Sequence, residues 1–192
     1  LIPVEPKKLK VNDAKKLSEE EISKQLSDEH HIMAVQSDKA VIDFFHEQIE
    51  RIEKVVLKEV KLRYPYKELV TVPGIGEILG ITIMLETGDI NRFPTVSDYS
   101  SYCRCVSSKK ISNGKKKGEG NKKNGNKYLA WAYVEAANFM VRYSEPARRW
   151  HQRKAAKTNK IVAIKALSNK IARACYFIIK DQKPFDPKKL FQ

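Results

Sequence analysis

Leu69-Val70-Thr71-Val72-Pro73-Gly74-Ile75-Gly76-Glu77-Ile78-Leu79-Gly80-Ile81-Thr82-Ile83-Met84-Leu85-Glu86-Thr87 is the stretch on which the fold turns. It is apolar on both sides and interrupted by Pro73-Gly74-Ile75-Gly76. Proline fixes one backbone angle, and glycine supplies turns or close approaches that a Cβ would oppose. The segment reads as helix, tight turn, helix. A short helix ends over Leu69 to Thr71, and a second spans Glu77 to Thr87 with Ile78, Leu79, Ile81, Ile83, Met84 and Leu85 in its core. Ile75 is expected to plug the turn into that core.

Upstream, Lys7 to Tyr64 contain neither Gly nor Pro, which favours long helices. Ser18-Glu19-Glu20-Glu21 reads as a capping box. Ile42, Phe45, Ile49, Ile52 and Val56 recur at spacings of three and four, with Glu47, Glu50, Lys54 and Lys58 largely off that stripe. A helix from Ser37 to Arg63, roughly 40 Å long, is ended by Pro65. Its stripe suits either a coiled coil or docking onto the domain behind it. Downstream, a short helix follows Thr95, capped by Thr95 or Ser97. Asn126 to Arg142 forms a helix buried through Leu129, Ala132, Ala136, Ala137 and Met140. Pro146 opens a short basic helix with Arg148, Arg149, Arg153 and Lys154. Asn159 caps the last helix, to Lys180, buried through Ile164, Leu167, Ile171, Cys175 and Ile178. No segment alternates as a strand would. The expected fold is all-α: a helical, coiled-coil-like segment (1–65), a compact helical domain (66–182) and a tail (183–192).

The 192 residues carry a net charge of +14, unevenly distributed. Residues 1–103 sum to −4, residues 104–160 to +13 and residues 161–192 to +5. A basic block of that density points to a polyanion, most often nucleic acid. It peaks in Lys109-Lys110-Ile111-Ser112-Asn113-Gly114-Lys115-Lys116-Lys117-Gly118, followed by Asn121-Lys122-Lys123-Asn124-Gly125-Asn126-Lys127. This Lys/Gly/Asn loop (107–127) is expected to order only against a polyanion. Its eight lysines (Lys109, Lys110, Lys115, Lys116, Lys117, Lys122, Lys123, Lys127), with Arg148 and Arg149, are candidate phosphate contacts. Ser112 within it would attack phosphorus only if a base or strong electrostatics lowered the cost of losing its proton, which neighbouring cations can do. A passive loop serine is the other reading.

Cys103, Cys105 and Cys175 form no Cys-x-x-Cys pair, and His30, His31, His46 and His151 show no ligand spacing with them. No metal site is expected, and the setting is expected to be reducing and cytoplasmic. No apolar run reaches the eighteen or so residues of a membrane span, and no signal peptide is visible.

Pro73-Gly74-Ile75-Gly76 between two helices resembles the helix-hairpin-helix motif (66–90) of DNA-repair and recombination proteins. Amides at Gly74 and Gly76, beside a helix N-terminus, would donate to a phosphate oxygen. The net charge of −3 across Tyr66 to Ile90 opposes this, and a purely structural turn is the alternative. The order of motifs is more specific. Pro73-Gly74-Ile75-Gly76, Gly88-Asp89-Ile90 with Arg92-Phe93-Pro94, Tyr99 to Tyr102, Ser112-Asn113-Gly114-Lys115, Asn124-Gly125-Asn126-Lys127-Tyr128-Leu129, Glu135-Ala136-Ala137 and Ala166 to Arg173 together resemble one family. It is the C-terminal domain of insertion-sequence transposases that pair a RuvC-like DEDD nuclease domain with a serine-bearing domain, also called bridge-RNA recombinases.

The resemblance implies that Ser112 forms a transient phosphoserine link to DNA, with Ser107 and Ser108 as rivals. It implies DNA and a structured guide RNA as partners, homo-oligomerisation through the N-terminal helix, and a prokaryotic, nucleoid-associated location. Arg104-Cys105-Val106-Ser107 and Ser112-Asn113-Gly114 depart from the commoner Gly-Leu-x-Pro and Ser-Gly. Magnesium is expected only in an N-terminal nuclease domain, and no cofactor in this chain. The chain opens on Leu1 and is expected to be the C-terminal part of a longer enzyme, inactive alone. The alternative function is a non-catalytic helix-hairpin-helix module that binds nucleic acid.

Overall fold

A computed structural model describes residues 16–26, 28–60, 64–106, 109–119 and 124–191. The chain divides into two compact units, residues 1–56 and 57–192. As expected, the architecture is all-α, a long helix followed by a compact helical bundle, with one small hairpin added.

Helix α1 (Glu19–Gln25) starts at the expected capping box: Ser18 Oγ accepts from the Glu21 amide, and the Glu21 carboxylate accepts from the Ser18 amide. Helix α2 (Glu29–Val60) begins earlier than the sequence suggests, and Lys61 to Arg63 lie outside the described residues. In the single chain, Ile42, Phe45, Ile49 and Ile52 are all exposed (47 to 62 %) and Val56 is half-buried.

The second unit is built from α3 (Tyr64–Leu69), α4 (Glu77–Thr87), α5 (Val96–Tyr102), α6 (Lys127–Tyr143), α7 (Glu145–Lys157), α8 (Lys160–Asp181) and the single turn α9 (Pro187–Leu190). Helices α6 and α8 form its centre, with α4 and α7 packed on α6 and α5 on α8. Small residues permit that closeness, since Ala132, Ala136 and Ala137 of α6 and Ala163 and Ala172 of α8 are wholly buried. Thr95 and Asp98 form a capping box on α5, and Asn126 and Asn159 cap α6 and α8 as expected. Ile75 is buried as expected, with Leu79, Ile83 and Met84, whereas Ile78 and Leu85 are exposed. An eleven-residue helix packed on one side cannot bury every apolar position, and these two lie on its outer face.

The centre also holds a polar chain absent from the sequence reading. Thr87 Oγ1 and Tyr99 OH lie 2.8 Å apart, and Tyr99 OH and Tyr133 OH 2.6 Å apart, all buried. Burial drives both phenols well above their ordinary pKa. Among the described residues, no helix is long and apolar enough to cross a membrane.

Candidate nucleic-acid interface

Where a loop without strands is expected, residues 109–119 form an antiparallel hairpin, β1 (Lys109–Ser112) with β2 (Lys115–Glu119). Asn113 (φ 54°) and Gly114 (φ 71°) both take positive φ, the requirement of a two-residue type I′ turn. Ser112 pairs directly with Lys115 across this turn. The register then shifts: Ile111 faces Lys116 and Lys110 faces Gly118, so Lys117 is an extra residue on β2. Ser112, Lys115 and Lys117 are exposed at this tip. The backbones of Lys109, Lys110 and Lys116 belong to the hairpin, while Ser107, Ser108, Lys122 and Lys123 lie outside the described residues.

The two ends of the basic segment are tied together. Arg104, at φ 56°, donates from Nε and Nη2 to the Gly125 carbonyl at 3.2 and 2.8 Å. The Asn126 amide donates to the Tyr102 carbonyl at 2.7 Å. Asn126 also donates from Nδ2 to Glu86 at 2.6 Å while its Oδ1 caps α6. Gly125 (φ 92°) has no room for a Cβ, which would overlap the Tyr102 carbonyl oxygen. Arg92 lies over the Phe93 and Tyr102 rings at 4.5 and 4.6 Å. Hydrogen bonds from Asn126 and then Arg92 hold the Tyr102 phenol below its ordinary pKa. The Asn124-Gly125-Asn126 motif thus joins the exit of the basic segment to its entry at Tyr102 to Arg104. Lys127 follows, exposed, over the Tyr128 ring at 4.9 Å.

Gly74 and Gly76 occupy different environments. Gly74 (φ 91°) is pressed onto α6: a Cβ there would overlap the Ala136 carbonyl and stand 2.7 Å from the Met140 nitrogen. Its requirement for glycine is met by packing inside the protein. Gly76 caps α4 without a side chain, is exposed, and has nothing near its missing Cβ. Gly76 and Glu77, at the N-terminus of α4, are both exposed.

Arg148 is heavily engaged. It donates to the Arg142 carbonyl at 2.8 Å and the Val141 carbonyl at 3.4 Å, and pairs with Glu145 at 3.1 Å, joining the end of α6 to the start of α7. Arg149, 69 % exposed, pairs with the same carboxylate at 3.2 Å and turns towards a cleft with Arg153 and Phe191.

Among the described residues, no three His, Cys, Asp or Glu side chains gather as metal ligands would. Asp89 caps the 3-10 turn Ile90–Arg92, Asp98 belongs to the α5 capping box, and Glu135 stands alone on α6. These carboxylates do not fit a magnesium site. Cys103, Cys105 and Cys175 are buried and free, with burial raising every thiol, Cys105 to about 11 and Cys175 to about 12.

The second unit is a helical domain whose basic segment contains a hairpin and has its two ends tied together. Residues 66–152 match the model of the Transposase IS116/IS110/IS902 family. That span holds the turn at Gly74, the clamp and the hairpin, and it is consistent with the C-terminal domain of this transposase family, as the order of motifs implied. The match supports a transposase-type function. No curated protein matches the chain.

Proposed function

We propose that this chain is the C-terminal part of a DNA transposase, which binds DNA through its basic hairpin and supplies Ser112 as the nucleophile of strand exchange. One observation carries the reading: Ser112 and Lys115 are cross-strand partners at the tip of the basic hairpin. Directly opposed residues hold their Cβ atoms about 5 Å apart, so the Lys115 side chain is within reach of the hydroxyl. With Lys117, it would neutralise a phosphodiester brought to the tip and favour loss of the serine proton. Ser112 Oγ would attack phosphorus, forming a phosphoserine ester and releasing a sugar oxygen that takes up a proton. Attack by a second DNA hydroxyl would then return the serine.

The exposed α2 stripe suits pairing with a second copy, and the wider basic surface suits guide RNA as well as DNA. The location proposed is the cytoplasm, at the nucleoid. The exposure of Ser112 to solvent favours one competing reading, a module that binds nucleic acid without catalysis.

The deciding experiment compares wild type with Ser112→Ala in the full-length parent protein, measuring recombination and DNA binding together. Recombination should fall by at least about a hundredfold, the scale of losing a nucleophile or its electrostatic support, with binding retained. Normal recombination by Ser112→Ala would leave only the binding module.

A further inference from the structure

Beyond the hairpin, the tail and the last long helix enclose a groove to which nothing above assigns a role. Helix α8 ends at Gln182, whose left-handed backbone (φ 50°, ψ 42°) reverses the chain. Residues 183–190 then run back along α8, where Lys170 Nζ donates to the Leu190 carbonyl at 2.9 Å and the Leu190 side chain is buried. The Phe191 ring lies 6.5 Å from that of Trp150. Between helix and returning segment is a cavity of about 440 Å³.

Its walls combine two chemistries. Ala174, Phe177, Pro184 and Phe185 are apolar, and Phe177 is 47 % exposed. Phe177 is held from behind by Tyr176, whose ring meets it edge-on at 5.3 Å and whose hydroxyl donates to the Phe93 carbonyl at 3.1 Å. Arg173, Lys183 and Lys189 line the rim and are exposed. Four cations, counting Lys170, face two carboxylates, Asp181 and Asp186, and Asp186 already caps α9 through the Lys188 amide. A firmly held aromatic face beside an excess of cations is how proteins hold the bases and phosphates of unpaired strands. A duplex keeps its bases stacked on one another, so only an unpaired base can present its face to Phe177. The charge complement also disfavours a neutral apolar peptide.

We propose that this groove binds an unpaired base of single-stranded nucleic acid, stacked on Phe177, with Arg173, Lys183 and Lys189 on the flanking phosphates. The proposal rests on the nucleic-acid reading above but uses residues distinct from the hairpin. The test is fluorescence anisotropy with the 192-residue chain, using labelled oligothymidylate, oligouridylate and a duplex of matched length.

Phe177→Ala should weaken binding of single strands by roughly five- to tenfold and leave the duplex unchanged, and Phe177→Trp should restore it. Arg173→Gln should weaken single strands and flatten their salt dependence by about one unit of slope. Tighter binding of one oligomer would support the groove and identify the strand as DNA or RNA. If Phe177→Ala bound single strands like wild type while Lys115→Ala with Lys117→Ala lost affinity, the groove would be refuted and the hairpin reading would stand. Equal loss for single strands and duplex in Phe177→Ala, without rescue by Phe177→Trp, would also overturn it. A wild-type chain that bound neither form would remove both readings.

Discussion

Gly74 and Gly76, two residues apart, answer to different constraints. The Gly74 hydrogen faces the α6 backbone from a left-handed conformation, so Gly74→Ala adds both backbone strain and overlap with Ala136. It should cost about 2 kcal/mol or more, read as a lower midpoint in urea unfolding. Gly76 has an ordinary φ of −88° and open space around it, so Gly76→Ala should cost under about 1 kcal/mol. If the first-turn α4 amides meet phosphate, Gly76→Asp will weaken duplex binding without loss of stability, whereas equal binding would make the turn purely structural. The sequence identified both glycines as special. Which one faces the protein depended on α6, sixty residues downstream.

At the scale of elements, the helices were legible because their signals are local. Ser18, Thr95, Asn126 and Asn159 cap where their side chains can reach first-turn amides, and Pro146 opens α7. The hairpin is not legible from periodicity, although Asn113-Gly114 is a strong two-residue turn signal. Its flanks are lysines, which carry little strand propensity and no apolar alternation, so periodicity was silent. The α2 stripe is also legible, but among the described residues nothing covers Ile42, Phe45, Ile49 and Ile52, which stay exposed. If a second copy covers them, sedimentation should show self-association that Ile49→Asp with Ile52→Asp abolishes. A wild-type chain that stays monomeric at high concentration would end that proposal.

Across the whole molecule, three thiols and two phenols share one buried centre. Cys105 and Cys175 lie near 11 and 12 against an ordinary value of 9.0, and Cys103 is raised further by burial. A raised acid keeps its proton in the folded protein after the unfolded chain has lost it. Its stabilising effect is therefore complete below about pH 9 and disappears as pH rises through the folded values, at up to about 1.4 kcal/mol per pH unit for each thiol. The urea midpoint should hold steady up to about pH 8.5 and fall steeply by about pH 10.5. Native Cys103, Cys105 and Cys175 should resist thiol reagents at neutral pH, and rapid labelling of all three would contradict their burial.

The sequence by itself determined the helices, their caps, the basic block and the order of motifs, because each depends on residues within a few positions or on composition alone. Only the tertiary structure decided what the motif residues do. Asn124-Gly125-Asn126 became a clamp because Tyr102, Arg104 and Glu86 converge on it, and Arg148 became a staple because α6 ends beside α7. The tail became the wall of a groove because Gln182 reverses the chain and Lys170 captures Leu190. Such roles arise from contacts between distant residues, and no local pattern encodes which partners will meet.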